Sequence, residues 1–441
     1  MYLSFIWHFH QPIYRHPETG KFLLPWVNYH TTKNYWQMLK LVETYEFPCA
    51  INLVPCLLEQ MEDYAQNRAE DPFFDSLLKT PEKLRAEDLS RWRRFFPGMV
   101  EEKSTAVAQK KVLNSFFSPL LEPEKKTRDE LLHLRQKIFQ EIFGYFSALK
   151  NKNLLEITLT PYYHPLLPLL IDLGLARNEA PELPDFSYPE DADWHLREAR
   201  LYFERLFGFC PQGVWPSEGA VSAASCQRIK NAGFNLAFTD EHLLWQSLDH
   251  RPDPLLLYQP YECSGLKILF RDRELSDLIG FEYHRWPADQ AVADFFRRLE
   301  VKASKSSEEA ILTIILDGEN PWGAYQNNGL DFLRKLFEQL KSHQRFLPIT
   351  PSQYLMSHHA YNRLNLVAGT WMSSFFKWVG HPEKVRTWKR LAEVRQRRAF
   401  SRYLAVAEGS DWFWWAGETQ EPEFDQLFSS YLNLADREGG R

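Results

Sequence analysis

One stretch limits what this chain can become: Ile-Leu-Thr-Ile-Ile-Leu at residues 311–316. A continuous run rich in β-branched residues, with no polar alternation, suits a strand buried on both faces. Such strands belong to parallel sheets wrapped by helices. Six further short β-favouring runs precede it, at 2–7, 49–54, 154–159, 213–215, 234–238 and 266–270, and helix-period sequence lies between most of them. Seven strands alternating with helices predict an α/β chain closed into a (β/α)7 barrel.

Polar clusters follow these runs and do not precede them. His8 and His10, His164, Glu218, Asp240, Asp272 and Asp277, and Asp317 with Glu319 all come just after a predicted strand. In a barrel the C-terminal ends of all strands share one rim, where α/β enzymes keep their chemistry. His8 and His10 are two apart, so an extended backbone turns both to one face. At 212–222 the chain reads Gln-Gly-Val-Trp-Pro-Ser-Glu-Gly-Ala-Val-Ser, which brings Glu218 out at the end of the fourth strand beside two small residues. A plain reading of that Ser-Glu pair, as a helix start complementing the dipole, stands beside the catalytic one.

The remaining sequence reads as helix. Residues 57–153 carry charged, helix-period sequence with a Thr80-Pro81-Glu82 start signal, predicting a helical insertion between strands two and three. Residues 1–360 are expected to hold the barrel, and 361–441 a C-terminal helical domain. That domain contains an Arg-rich helix from His381-Pro382-Glu383 to about 407 and an aromatic knot, Trp412 to Trp415. The knot reads as a packing seam, and Asp240 and Glu241 read as helix-start charges.

Composition narrows the partners. The net charge of −6 and the absence of basic runs interleaved with aromatics leave no surface for nucleic acid. No run of about 18 apolar residues is present to span a membrane. The start, MYLSFIWHFHQP, lacks a basic leader segment, and the five cysteines have no C-x-x-C spacing. A cytoplasmic location with free thiols is expected. Aromatic residues make up 15% of the chain, and rings exposed in a cleft suit the apolar faces of sugars.

Glu218 and Asp317 at one rim would provide the paired carboxyl groups that glycoside cleavage requires. His8, His10 and Trp215 are placed to hold a sugar, and Trp322 to wall the site.

In order and spacing, these segments resemble glycoside hydrolase family 57. The resemblance rests on His10-Gln11-Pro12, on Tyr163-His164-Pro165-Leu166-Leu167-Pro168 and on Gly213-Val214-Trp215-Pro216-Ser217-Glu218. It continues through Arg271-Asp272, Leu275-Ser276-Asp277, Leu316-Asp317-Gly318-Glu319-Asn320-Pro321-Trp322 and Glu408-Gly409-Ser410-Asp411-Trp412. It is most similar to the amylopullulanase and α-amylase branch. The resemblance implies retaining hydrolysis of α-glucans or malto-oligosaccharides, with Glu218 as nucleophile and Asp317 as acid/base. It also implies that His10 contacts the sugar and that Asp277 binds or orients at the rim. Trp371 joins His8, His10, Trp215, Asp277 and Trp322 among the substrate-binding residues, and no metal or other cofactor is called for.

The chain departs from the family pattern at Gly369-Thr370-Trp371-Met372-Ser373-Ser374-Phe375-Phe376, where Ser373 and Phe375 replace amide or acidic groups. Substrate preference is the property this change puts in question. Three other readings stay open. One is a 4-α-glucanotransferase using the same pair of carboxylates. Another is a metal-dependent polysaccharide deacetylase using His8, His10 and an Asp, although the usual Asp-Asp pair and H-x-x-x-H spacing are missing. The last is a glucan-binding protein without activity. Linkage, chain-length preference and oligomeric state are not encoded in any motif found.

Overall fold

The computed structural model describes residues 1–100, 105–249, 251–359, 361–418 and 422–438. Seven parallel strands form its centre: β1 (Tyr2–Phe9), β2 (Cys49–Leu53), β3 (Leu155–Leu159), β4 (Gly213–Val214), β5 (Leu236–Asp240), β6 (Leu266–Arg271) and β7 (Ile311–Asp317). They run in the order β7-β1-β2-β3-β4-β5-β6, and the pairing of Arg271 with Thr313 closes β6 onto β7. The expected (β/α)7 barrel is therefore present.

Parity decides what fills it. Ile6, Ala50, Leu236, Phe238, Leu269, Ile311 and Ile315 form one apolar cluster inside the barrel, which Tyr354 and Leu355 of the helix Pro351–Ser357 also join. The alternate positions Leu3, Phe5 and Trp7 of β1 join the larger core between strands and helices. Because side chains alternate along a strand, the residues two beyond the interior apolar set share its face. Those residues are His8, Asn52, Asp240, Arg271 and Asp317, all at the C-terminal ends. The barrel is apolar below and polar on top.

Between β2 and β3 the described residues form helices, the last being the long Arg128–Asn151. Its start is fixed by a capping box in which Thr127 and Glu130 satisfy each other's backbone N–H groups. Thr80-Pro81 opens only a three-residue turn, Pro81–Lys83, shorter than the helix start expected there. The Arg-rich segment is two helices, Pro382–Arg397 and Arg402–Ala407, with a break at 398–401.

The C-terminal helices are knitted to the barrel. Gly369 bridges Val221, and Gly409 bridges Pro165. Arg395 grips Asp191 with two hydrogen bonds, at 2.7 and 2.9 Å. Beside them Glu408 meets His195 at 3.0 Å with both side chains fully buried. Trp388 stacks on Phe413 at 3.9 Å, and the other rings of the aromatic knot meet Trp378, Phe424 and Phe428, so these contacts pack the C-terminal helices on one another and not on the barrel.

Truncating Arg395 would leave the Asp191 carboxylate buried without its partner. Loss of one side of a buried pair costs about 3–5 kcal/mol. Arg395→Ala should lower the thermal midpoint measured by calorimetry by several degrees, and a midpoint equal to wild type would show the pair to be idle.

Candidate active site

Glu218 occupies a sharp corner. After β4, Trp215 donates its backbone N–H to Leu159 (2.9 Å), and the three-residue turn Ser217–Gly219 follows. Glu218 sits there in the left-handed region, φ 60° and ψ 22°. That conformation costs a non-glycine residue about 1–3 kcal/mol and persists only when its surroundings fix it. Gly219, also at positive φ, must lack a side chain, because a Cβ would lie 2.9 Å from the Trp215 ring. The backbone N–H of Trp371 donates to the Glu218 carbonyl at 3.0 Å, and Thr239 Oγ1 donates to the Gly219 carbonyl at 2.7 Å. The corner is thus held from the strand side and from the 369–374 loop.

The Glu218 carboxyl is gripped at both oxygens. Trp371 Nε1–H donates to Oε2 at 2.9 Å, and Ser410 Oγ–H donates to Oε1 at 3.3 Å. Burial pushes this carboxyl up to about 8, with the Asp411 charge adding to the rise; the Trp371 bond opposes it, and Asp317 adds a smaller upward push. Carboxylates that sense one another in this way share one site.

Asp317 ends β7 directly beside His8 of β1. Asn320 donates to its Oδ2 at 2.7 Å, and burial raises it above the ordinary aspartate range. Gly318 follows, and a Cβ there would sit 2.2 Å from the Phe9 ring. Only glycine lets the chain turn so tightly past β1.

Three histidines form a stack beside these acids. His10 and His164 lie 3.9 Å apart at 15°, and His8 lies 5.3 Å from His164. His8 Nδ1 is bonded to Asn52 at 2.6 Å, and burial lowers the ring to about 3. His164 is lowered well below the usual value for the same reason, so both rings are neutral at physiological pH. His10 Nε2 meets both oxygens of Asp411 at 3.0 Å.

The sequence expectations divide accordingly. Glu218, Asp317, His8, His10, Trp215 and Trp371 come to one rim, with His8 6.5 Å from the Trp215 ring. Asp277 lies at its edge, half-exposed and paired with Arg271. Trp322 is a correction. Its indole is 1% exposed, packed on Trp7 and Tyr325 and bonded to the Gly318 carbonyl, so it is core and not cleft wall. Gly329 makes room for it, since a Cβ there would meet the ring at 2.5 Å. Phe375 is likewise buried in the core, with its N–H donating to Glu179, and does not face the rim.

Sequence reasoning missed Asp411 and Ser410, whose signal was the acid immediately before the aromatic knot. It placed Glu319 among the polar residues that follow the last strand. Glu319 is buried and accepts from the His10 backbone (3.3 Å) and Gln11 Nε2 (3.2 Å), and burial raises it well above the usual range.

Among the described residues, His10, His164 and Asp411 each offer a ligand atom within 4.8 Å of the others. Imidazole lone pairs lie in the ring plane, and two planes stacked at 15° run side by side without meeting at an ion. The set of His8, His10 and an aspartate required for a metal-dependent deacetylase does not assemble among the described residues.

A parallel barrel whose rim gathers partly buried, mutually sensitive carboxyls beside aromatic and imidazole rings has the build of a carbohydrate-active enzyme of the glycoside hydrolase class. The chain belongs to glycosyl hydrolase family 57, whose model matches residues 4–366. No curated protein sequence matches the chain. Among solved structures it is similar to an α-amylase from Thermotoga maritima, with 17% identity and a TM-score of 0.67 over 99% of this chain and 93% of that one. It is similar to a family 57 branching enzyme from Thermococcus kodakaraensis, with 17% identity and a TM-score of 0.66 over 99% and 89%. A 4-α-glucanotransferase from Thermococcus litoralis shares 15% identity and a TM-score of 0.62 over 99% of this chain and 60% of that one. Identities this low establish a common fold. Membership in this family sets aside the deacetylase reading.

Glu319 should behave as a neutral buried acid. Glu319→Gln is expected to keep the thermal midpoint within a degree or two of wild type. Glu319→Ala strands the His10 and Gln11 donors and should cost about 1–3 kcal/mol by denaturant titration.

Proposed function

We propose that the protein is a retaining α-glucan-active enzyme that cleaves malto-oligosaccharides by double displacement. The observation that carries this reading is the grip on Glu218: a strained rim carboxyl, held at both oxygens, whose charge is coupled to Asp317 and Asp411. Retaining cleavage needs one ionised carboxyl to attack the anomeric carbon and one protonated carboxyl to release the leaving oxygen. Glu218 takes the first role in its ionised form, which its rise to about 8 disfavours at neutral pH and which the Trp371 and Ser410 donors favour. Asp317, raised by burial and bonded at Oδ2 by Asn320, takes the second and then activates the incoming acceptor. His8, oriented by Asn52, presents a neutral ring to sugar hydroxyls, and His10 is held beside it by Asp411. Trp371 offers a ring face, Trp215 backs the rim as a buried member of the barrel's interior apolar cluster, and Met372 and Phe376 add exposed apolar surface just beyond Trp371 in the sequence. Asp277 orients at the edge.

Water as acceptor gives hydrolysis, and a second glucan gives transfer. Transfer stays in view because the similar solved proteins include a branching enzyme and a 4-α-glucanotransferase as well as an α-amylase.

Incubation with maltoheptaose, resolved by chain length, tests both. Hydrolysis should give shorter products with rising reducing ends, whereas products longer than substrate at constant reducing ends would assign transfer. Glu218→Gln should remove turnover, and retained turnover would sink the reading.

The pH profile follows from the neighbours of Glu218. The nucleophile must be ionised, so kcat/KM falls as pH drops through its raised pKa. Asp411 raises that pKa, so Asp411→Asn should lower it and move the acid limb down by about one pH unit. An unmoved or rising limb would exclude the coupling.

A further inference from the structure

Arg271 is the most connected charged side chain at the rim, and the chemistry above gives it no task. It leaves the end of β6 on the barrel's inner face, 3% exposed. Its Nε–H donates to the Ile315 carbonyl at 2.7 Å, two residues before Asp317 on β7. Its Nη1 donates to Asp240 of β5 at 3.1 Å, and its Nη2 to Asp277. The guanidinium carbon lies 5.6 Å from the centre of the Trp371 ring, within cation–π range. Arg273 completes the cradle: its Nη2 donates to the Trp371 carbonyl, and its Nε lies 3.4 Å from Asp240. Asp240 itself is fully buried.

The cradle has one consequence at the reacting end. Trp371 is attached to Glu218 twice, by its backbone N–H and by its indole N–H. A ring pressed between a guanidinium and the nucleophile corner has its N–H direction fixed in advance. An N–H aimed at Oε2 at 2.9 Å stabilises the ionised form of that group, and Oε1, held only by the longer 3.3 Å bond from Ser410, is the oxygen more readily released for attack. When Oε1 bonds to the anomeric carbon, the glycosidic C–O bond breaks and its oxygen leaves with the proton of Asp317; Oε2 becomes the carbonyl oxygen of the ester, and the same N–H remains directed at it.

We propose that Arg271 and Asp240 are positioning residues that act through Trp371, whose indole N–H is the built-in donor that selects the attacking oxygen of Glu218. Arg271 touches neither Glu218 nor Asp317 directly. It joins the two sides of the site, through the Trp371 ring on one hand and the β7 backbone on the other. The residues involved span β5, β6, β7 and the 369–374 loop. The inference rests on Glu218 being the nucleophile.

The test uses the full-length protein with maltoheptaose, measuring kcat and KM separately across pH for wild type, Trp371→Phe, Arg271→Lys and the double variant. Trp371→Phe keeps a ring and removes only the donor. It should lower kcat about tenfold and raise the acid limb of kcat/KM by about one pH unit, the direction expected when a bond to the carboxylate is lost. Arg271→Lys keeps the charge beside Asp240 and releases the ring, and should shift the limb the same way by a smaller amount. The double variant should match Trp371→Phe alone, because both changes act through one bond. Independent, multiplying losses in the double variant would overturn the proposal. So would a Trp371→Phe enzyme with an unmoved acid limb and only a raised KM, which would make the ring a sugar platform and nothing more. Circular dichroism and thermal midpoints confirm that each variant is folded; if Arg271→Lys is not, the Trp371→Phe profile alone decides. Turnover by Glu218→Gln would instead remove the nucleophile assignment beneath the inference, an outcome distinct from failure of the cradle.

Discussion

A closed barrel admits side chains to its interior only from alternate positions of each strand, and that constraint arranges everything else in this molecule. The apolar positions Ile6, Ala50, Phe238, Leu269 and Ile315 fill the barrel. The next inward positions must then emerge at the rim as His8, Asn52, Asp240, Arg271 and Asp317. Polar groups placed there are partly withdrawn from water, so each needs a partner or must surrender its charge. His8 and His164 do the latter, and Arg271 and Asp240 satisfy one another.

Carboxyls crowded into such a place cannot all be ionised together. Glu218 is raised by its own burial first and by Asp411 next, with Trp371 and Ser410 working in the opposite direction. The balance between a repelling acid and a donating indole sets the pH at which this carboxyl ionises. The strained corner at Glu218 belongs to the same account: the strain is offset by bonds reaching it from Trp371 and Ser410, far along the chain.

Much of this was legible in the sequence. The seven β-favouring runs coincide with the seven barrel strands to within one or two residues at most ends, because strands buried on both faces leave an unmistakable apolar pattern. The polar residues following them marked the rim for the same geometric reason. What failed was orientation beyond the strand ends. Trp322 follows Asp317 closely and yet turns into the core, since Gly329 leaves space behind it, a fact no local pattern carries. Phe375 turns inward similarly. Asp411 was hidden in an aromatic cluster whose packing role is real, and its second role depends on a contact with His10 across 401 positions. Asp240 is both things at once, cap of the helix Glu241–Leu248 and partner of Arg271.

The seam between the C-terminal helices and the barrel has a further implication. The family match ends at residue 366, whereas Trp371, Ser410 and Asp411 lie beyond it and all three reach the rim. The Arg395–Asp191 and Glu408–His195 contacts hold the backbone that delivers two of them. A boundary drawn at the end of the barrel would therefore cut through the residues gathered at this rim. Each part therefore carries side chains that the other part's rim groups need as partners.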